Sequence, residues 1–295
     1  MKHTKLPTSY VFHKLFDFEV YIFRGIREKC PTFISYITIT VSQQNEAEKQ
    51  IVETCSCWIF IISVICFSGC IDTSKSCNYK DICNNANLNA SSLPSKFDWR
   101  DCGGNFLTSV KDQGTCGSCW AFSSVGAMES RYKIENNNSS LNLDLSEQYL
   151  VSDCFKEGDC DGGWPADALE YIKNSGISNE HCFPYKKSNC ACNESCSDWT
   201  NNMWKISDYK RFYTTTNNIK KELVCNGPLI TCGYVGSDLH CVVLVGWNDD
   251  ENIWIIKNSW GTGIGYNGYS KIPYNHSLIT YNYLFGVGGI KKDQI

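Results

Sequence analysis

Residues 113–122 read QGTCGSCWAF, with Cys116 and Cys119 three apart just ahead of an apolar run. A cysteine pair at this spacing suits a zinc clip, a redox couple, a disulfide framework or a chemistry that uses one sulfur alone. Zinc needs two further ligands at comparable spacing. Cys190, Cys192 and Cys196 are the nearest cluster, and their spacing fits no standard zinc module. A thioredoxin-like couple needs a strand leading into the pair and a βαβ context. Here the strand-like sequence lies at the other end of the chain. A third possibility is a thiolate nucleophile. Trp120, Phe122, Val125, Met128 and Tyr132 recur at helical spacing, which predicts a helix over Cys119–Ile134 with Ser118 as its N-cap. A thiol at a helix start meets orphan N–H groups and the positive end of the macrodipole, both of which favour the anion.

A thiolate nucleophile also needs a base, normally histidine. Only His181, His240 and His276 lie in the part of the chain with globular composition. His240 opens the apolar stretch HCVVLVGW, where flanking β structure can hold the ring rigidly. Asn258 follows eighteen residues later in WIIKNSWGTGIGYNGY, at the end of the next expected strand. Adjacent antiparallel strands would bring its side-chain oxygen beside His240 and fix the ring's tautomer.

The remaining segments fill in an α+β pattern. A short helix is expected after Ser146, one over Pro165–Lys173 with Gly176 as its stop, and one over Asn218–Leu223. Leu239–Trp247, Asn252–Lys257, Tyr266–Ile272 and Tyr281–Val287 are β-branched and aromatic runs that read as strands. Helices first and strands after predict two sub-domains of different character.

The ordered stretches QGTCGSCWAF, HCVVLVGW and IKNSWGTGIGYNGY resemble the papain-like cysteine peptidases, for which a C-G-[SA]-C-[WY] signature is characteristic. FDWRDCGG (97–104) is similar to the family's mature amino terminus. LSEQYLVSDC (145–154), GDCDGGWPADALEYI (158–172) and FPY (183–185) match further blocks. The likeness spans about residues 93–290. It implies a papain-like two-subdomain α+β fold, a helical N-terminal half and an antiparallel β-sheet or barrel half, with the active-site cleft between them. It also implies a cysteine endopeptidase acting through a thioester, with no metal or cofactor.

Carried over by position, Cys119 is the nucleophile, His240 its base and later acid, and Asn258 the residue that orients His240. Gln113 donates to the oxyanion beside the Cys119 N–H. Trp260 covers the histidine–asparagine bond and lines the leaving-group side. Gly162 and Gly163 let a substrate strand approach the backbone closely. Cys116 is implied to pair with Cys160. Cys154 is implied to pair with Cys190 or Cys192, the spacing from FPY favouring Cys192. The partners implied are a protein or peptide substrate and proteinaceous cysteine-peptidase inhibitors, with the enzyme a monomer.

Composition sets the compartment. Nineteen cysteines in 295 residues are far more than a cytosolic enzyme carries, and point to an oxidising environment. Five N-x-S triplets, at Asn89, Asn137, Asn138, Asn193 and Asn275, agree with secretion or a lysosome- or vacuole-like lumen. A net charge of −4 gives no reason to expect nucleic acid or an acidic membrane as partner. Residues 1–53 form an N-terminal extension without a usable pattern. Residues 54–71 (TCSCWIFIISVICFSGCI) read as a signal-peptide h-region, or as a signal anchor if retained, which would make the protein membrane-anchored. Residues 72–92 read as a linker or short pro-segment remnant, and 93–295 as the peptidase domain.

The sequence departs from the family in three ways. The stretch PLITCGYVGSDLH (228–240) is shorter than usual, and 121 positions separate Cys119 from His240 against about 130–150 in the family. That keeps open a catalytically weak or inactive papain-like extracellular binding module. No helical inhibitory pro-domain fits between the apolar stretch and FDWR. Twelve cysteines lie from Leu93 onward, so setting Cys119 aside leaves an odd number. Either Cys77 or Cys83 pairs with one of them, or a thiol stays free. Cys241 points to the face opposite His240, as buried packing or half of a disulfide.

Overall fold

The computed structural model describes residues 77, 79–84, 92–213, 215–280 and 283–293. The N-terminal extension and the apolar stretch 54–71 lie outside them. Among the described residues no helix is long and apolar enough to cross a membrane.

In chain order the elements are α1 Tyr79–Asn84, β1 Lys96–Asp98, α2 Cys119–Glu135, α3 Glu147–Leu150, α4 Pro165–Asn174, β2 Trp204–Phe212, α5 Thr216–Asn226, β3 Leu229–Val235, β4 Asp238–Asn248, β5 Ile253–Lys257, β6 Tyr269–Pro273, α6 Ser277–Thr280 and β7 Leu284–Lys292. The strands form one antiparallel sheet in the order β2-β7-β3-β4-β5-β6, with β1 added to β4.

The helix α2 is buried on all sides from Cys119 to Ser130. It therefore carries Ser123, Ser124 and Ser130 inside, and each hydroxyl is satisfied by a carbonyl three or four residues back. Packing α2 onto β4 is close: a Cβ on Gly126 would lie 3.5 Å from Val243. The strand β4 is the apolar centre of the sheet, buried without interruption from His240 to Trp247. Pro165 begins α4 at a position whose N–H has no helical partner, and Gly176 (φ +89°) turns the chain just past its end.

Three expectations need correction. Strands are not confined to the end of the chain, because β1 and β2 precede α5 and join the same sheet. The strand β2 escaped notice because it is an edge strand with Ile206 alone buried, so its apolar signal is weak. The stretch before His240 is itself the strand β3. The strand expected over Tyr266–Ile272 begins only at Tyr269, since Gly265, Asn267 and Gly268 all take positive φ and turn the chain. The last strand is shifted later, to Leu284–Lys292; residues 281–282 lie outside the described set.

The polar segment before Leu93 carries structure. Cys77 is bonded to Cys102 and Cys83 to Cys225. Between them Tyr79 packs edge-on against Trp99 at 5.1 Å and donates to the Ile134 carbonyl at the end of α2. Four further disulfides join Cys116 to Cys160, Cys154 to Cys192, Cys182 to Cys196 and Cys232 to Cys241. Among the described residues Cys119 and Cys190 are free thiols, so both Cys77 and Cys83 pair and one thiol besides Cys119 stays free.

Candidate active site

Cys119 is the first residue of α2 and Ser118 its N-cap. The Ser118 side chain does not cap the helix. It donates to the Tyr185 hydroxyl at 2.6 Å, while Tyr185 donates to the Gln113 carbonyl at 3.0 Å. Tyr185, from the FPY block, thus ties the helix start to the loop before it, a role the sequence alone does not reveal. The same loop is crosslinked by Cys116–Cys160 and held by the Gly117 N–H on the Cys160 carbonyl, 2.8 Å.

Gln113 is buried beside the helix start. Its Oε1 accepts the Ser259 hydroxyl at 2.6 Å, and its backbone N–H reaches the Ser259 carbonyl at 2.8 Å. These bonds anchor the cysteine loop to the segment that carries Asn258. Its side-chain N–H₂ has two hydrogens, and one goes to the Cys116 carbonyl at 2.9 Å.

The opposite wall is set by strand register. Val243 pairs with Lys257 across β4 and β5. Continuing that pairing places Asn258 and Trp260 alongside the start of β4. His240 Nε2 lies 2.9 Å from Asn258 Oδ1, and the Trp260 ring stacks on His240 at 4.1 Å and 21°. The tautomer follows from one more bond. Asn258 Oδ1 also takes the Ser259 N–H at 2.7 Å, which only an oxygen can accept. The oxygen therefore faces His240, and Nε2 carries the ring proton. In the neutral ring Nδ1 is left with its lone pair.

The Cys119 sulfur reaches the start of β4. The Cys119 thiol lies against the backbone N–H of Cys241, the residue after His240, and against those of Trp120 and Cys119 itself. Burial pushes the Cys119 thiol up, and these N–H groups draw it back down. Burial pushes His240 down, and its bond to Asn258 opposes this. Each charge alone is costly here.

Behind the site lies a buried ionic cluster. Lys111 Nζ is 3.0 Å from Glu147 and 3.5 Å from Glu129. Thr108 donates to Glu129 at 2.6 Å and accepts from Lys257 Nζ at 3.1 Å. Burial pushes Lys257, the neighbour of Asn258, down to about 8. No motif marks this cluster, because its members are brought together from distant segments.

The two glycines differ. A Cβ on Gly162 (φ +143°) would meet nothing within 4 Å, whereas one on Gly163 would fall 2.4 Å from the Trp120 ring. Gly163 is small because Trp120 fills the space beside it, not to leave room for a ligand. Gly158 has the same cause, with Trp120 2.6 Å from its Cβ position.

With this geometry in place, the comparisons are specific. Residues 93–239 and 230–286 match the family described as papain family cysteine protease. Ananain of Ananas comosus is 34% identical over 232 residues, covering 70% of this chain and 62% of its own length. A low-temperature-induced cysteine proteinase of Solanum lycopersicum is 37% identical over 210 residues, covering 63% of this chain and 58% of its own. The chain thus spans about three-fifths of these relatives. Digestive procathepsin L2 proteinase from the Tenebrio molitor larval midgut superposes with a TM-score of 0.58 at 31% identity, over 71% of this chain and 72% of that one. A cysteine protease of Carica candamarcensis in complex with E-64 gives 0.54 at 28% identity, over 67% and 100%. Matched from just before β1 into the start of β7, the chain belongs to the papain family of cysteine proteases.

Proposed function

We propose that this chain is a cysteine endopeptidase in which Cys119 and His240 form the reacting pair. One observation carries the reading: His240 is held through Nε2 by Asn258, with the Cys119 sulfur against the next residue's N–H. In the first step Cys119 passes its proton to Nδ1, and the thiolate attacks a peptide carbonyl. The carbonyl oxygen becomes an oxyanion, for which the second Gln113 amide hydrogen and the Cys119 N–H are the donors. His240 then protonates the departing amine as the C–N bond breaks, leaving a thioester. The neutral ring takes a proton from water, and the hydroxide hydrolyses the thioester and frees the sulfur. Asn258 keeps the ring in the tautomer and orientation both steps need. Trp260, stacked on the ring and 38% exposed, shields the His240–Asn258 bond from water on the leaving-group side. Gly162 offers the open backbone along which an extended substrate can lie.

Six disulfides among the described residues support a secreted or lumenal setting. Protein or peptide substrates, and inhibitor proteins that mimic them, are the partners this chemistry calls for. The test is covalent. The full chain, produced under oxidising conditions, is treated with an epoxide that alkylates active thiols, and the adduct is mapped by mass spectrometry. A stoichiometric adduct at Cys119, lost in His240→Ala, supports the reading. A folded protein that takes no label and cleaves no unfolded protein from about pH 4 to about pH 8 sinks it. Internal cleavage of an unfolded substrate, against stepwise trimming from an end, decides the endopeptidase part.

A further inference from the structure

The chain is short where its histidine is presented. The strand β3 turns into β4 through Gly236 and Ser237, with Val235 opposite Asp238 and Gly236 at φ +65°. This hairpin tip has little support within the sheet. Beyond Thr231 the strand β3 pairs with β4 alone, because its pairing with β7 covers only Ile230 and Thr231. On the far side of β4, pairing with β5 reaches no nearer the tip than Val243. His240 and Cys241 therefore sit where the sheet is only two strands wide, although both are buried. The Ser277 hydroxyl on the Tyr234 carbonyl, 2.6 Å, ties down β3 but not β4.

Cys232 and Cys241 face each other across this ribbon and are bonded, their Cα atoms 4.0 Å apart. Antiparallel pairs that exchange no hydrogen bonds stand at about 4.5 Å, against about 5.5 Å for those that do. Cys241 is thus at a non-exchanging pair, and its N–H points away from β3. On that outer side no β5 residue pairs with it, and the N–H meets the Cys119 sulfur instead. The side chain of His240, one residue back, points to the opposite face of the strand from the disulfide.

We propose that the Cys232–Cys241 bond is a positioning crosslink for the Cys119–His240 pair. It locks the outer part of the β3–β4 ladder where no third strand flanks it, alongside the bond to Asn258 and the Trp260 stack that hold the ring. In that register the Cys241 N–H lies on the sulfur and the His240 ring stays on the site's face; a slip of one residue would turn the ring away. The inference rests on Cys119 and His240 being the reacting pair.

The test compares two double variants of the full chain. Cys232→Ala/Cys241→Ala removes the crosslink. Cys83→Ala/Cys225→Ala removes one that closes a loop of 142 residues against 9, so it costs at least as much stability. The readout is the rate at which iodoacetamide alkylates Cys119 as a function of pH, with thermal unfolding measured in parallel. A thiolate–imidazolium pair reacts well below the pH at which a lone thiol ionises. Expected is a fall of about tenfold to a hundredfold on that acidic side for Cys232→Ala/Cys241→Ala, the scale of a reacting pair displaced by about an ångström. Cys83→Ala/Cys225→Ala should keep the wild-type profile. An unchanged profile in folded Cys232→Ala/Cys241→Ala overturns the crosslink's role. If that variant does not fold, graded reduction of the wild type replaces it, with thiols mapped by mass spectrometry. Loss of acid-side reactivity in step with exposure of Cys232 and Cys241 then supports the role, and reactivity that outlasts their reduction overturns it. A wild type whose Cys119 titrates as a lone thiol overturns the reacting pair itself, and the crosslink with it.

Discussion

The two walls of the candidate site are built by different means. The cysteine wall is a loop and a helix start, fixed by side chains: Cys116–Cys160, the Ser118–Tyr185–Gln113 relay, and Gln113 on both Cys116 and Ser259. The histidine wall is placed by backbone register and completed by side-chain contacts. His240, Asn258 and Trp260 stand together because β4 and β5 pair in one register. A side-chain-built wall breaks at single substitutions, each with its own signature. In a register-built wall the substitutions that matter are those that loosen the ladder or break the few side-chain contacts laid on it.

The largest break is in the first wall. Cys119→Ala removes the nucleophile and should lower kcat by about 10⁶-fold, the scale for deleting a nucleophile that works as a unit with its base. The thiol is small and buried, so thermal unfolding should scarcely move. A large loss of stability alongside would mean that Cys119 is a packing residue. Gln113→Ala comes next. Losing one oxyanion donor costs about 10²–10³-fold in kcat, and here the Ser259 hydroxyl and the Cys116 carbonyl each lose a partner as well. Gln113→Ala should therefore lower both kcat and the melting temperature. A fall in melting temperature with kcat intact would make Gln113 a strut between the walls and nothing more.

In the histidine wall, Asn258→Ala probes orientation and charge together. The bond to Asn258 favours the protonated ring, and burial opposes it. Removing the bond lowers the pKa of His240, so imidazolium is lost at lower pH and the alkaline limb of the kcat/KM profile moves down. Rate at the optimum should fall by about 10²-fold, the lower end of what a positioned acid–base contributes. An alkaline limb that stays put or moves up would show that Asn258 does not act through His240.

How far each wall was legible follows from how it is built. Cys116, Cys119 and Gln113 fall within seven consecutive residues, and their loop is a contiguous signature. His240 and Asn258 are visible only as ends of two apolar runs, which suffices because the register between such runs is simple. Tyr185 and the Lys111–Glu129–Lys257 cluster were not legible, because their meaning lies in contacts across tens of residues. The same holds for α1: a polar, Asn-rich segment reads as a linker until Cys77 and Cys83 are seen to be bonded to the domain. The strand β2 failed for the opposite reason, since an exposed edge strand is specified by its neighbour β7 more than by its own apolar pattern.

The smallest effect separates packing from recognition where the sequence treated two residues alike. Gly163→Ala drives a methyl into the Trp120 ring, in the first turn of α2. Overpacking of that kind costs about 1–3 kcal/mol of stability. It acts on the cysteine wall, since Trp120 adjoins Cys119, and should lower the melting temperature with KM nearly constant. Gly162→Ala meets no atom within 4 Å, but its φ of +143° suits glycine and little else. Its new methyl stands in open space where an extended substrate would lie, so KM should rise. If both variants instead lose stability alone, with KM unmoved in each, the doublet serves only to seat Trp120 and to turn the chain, and substrate must find its backbone partner elsewhere on the cysteine wall.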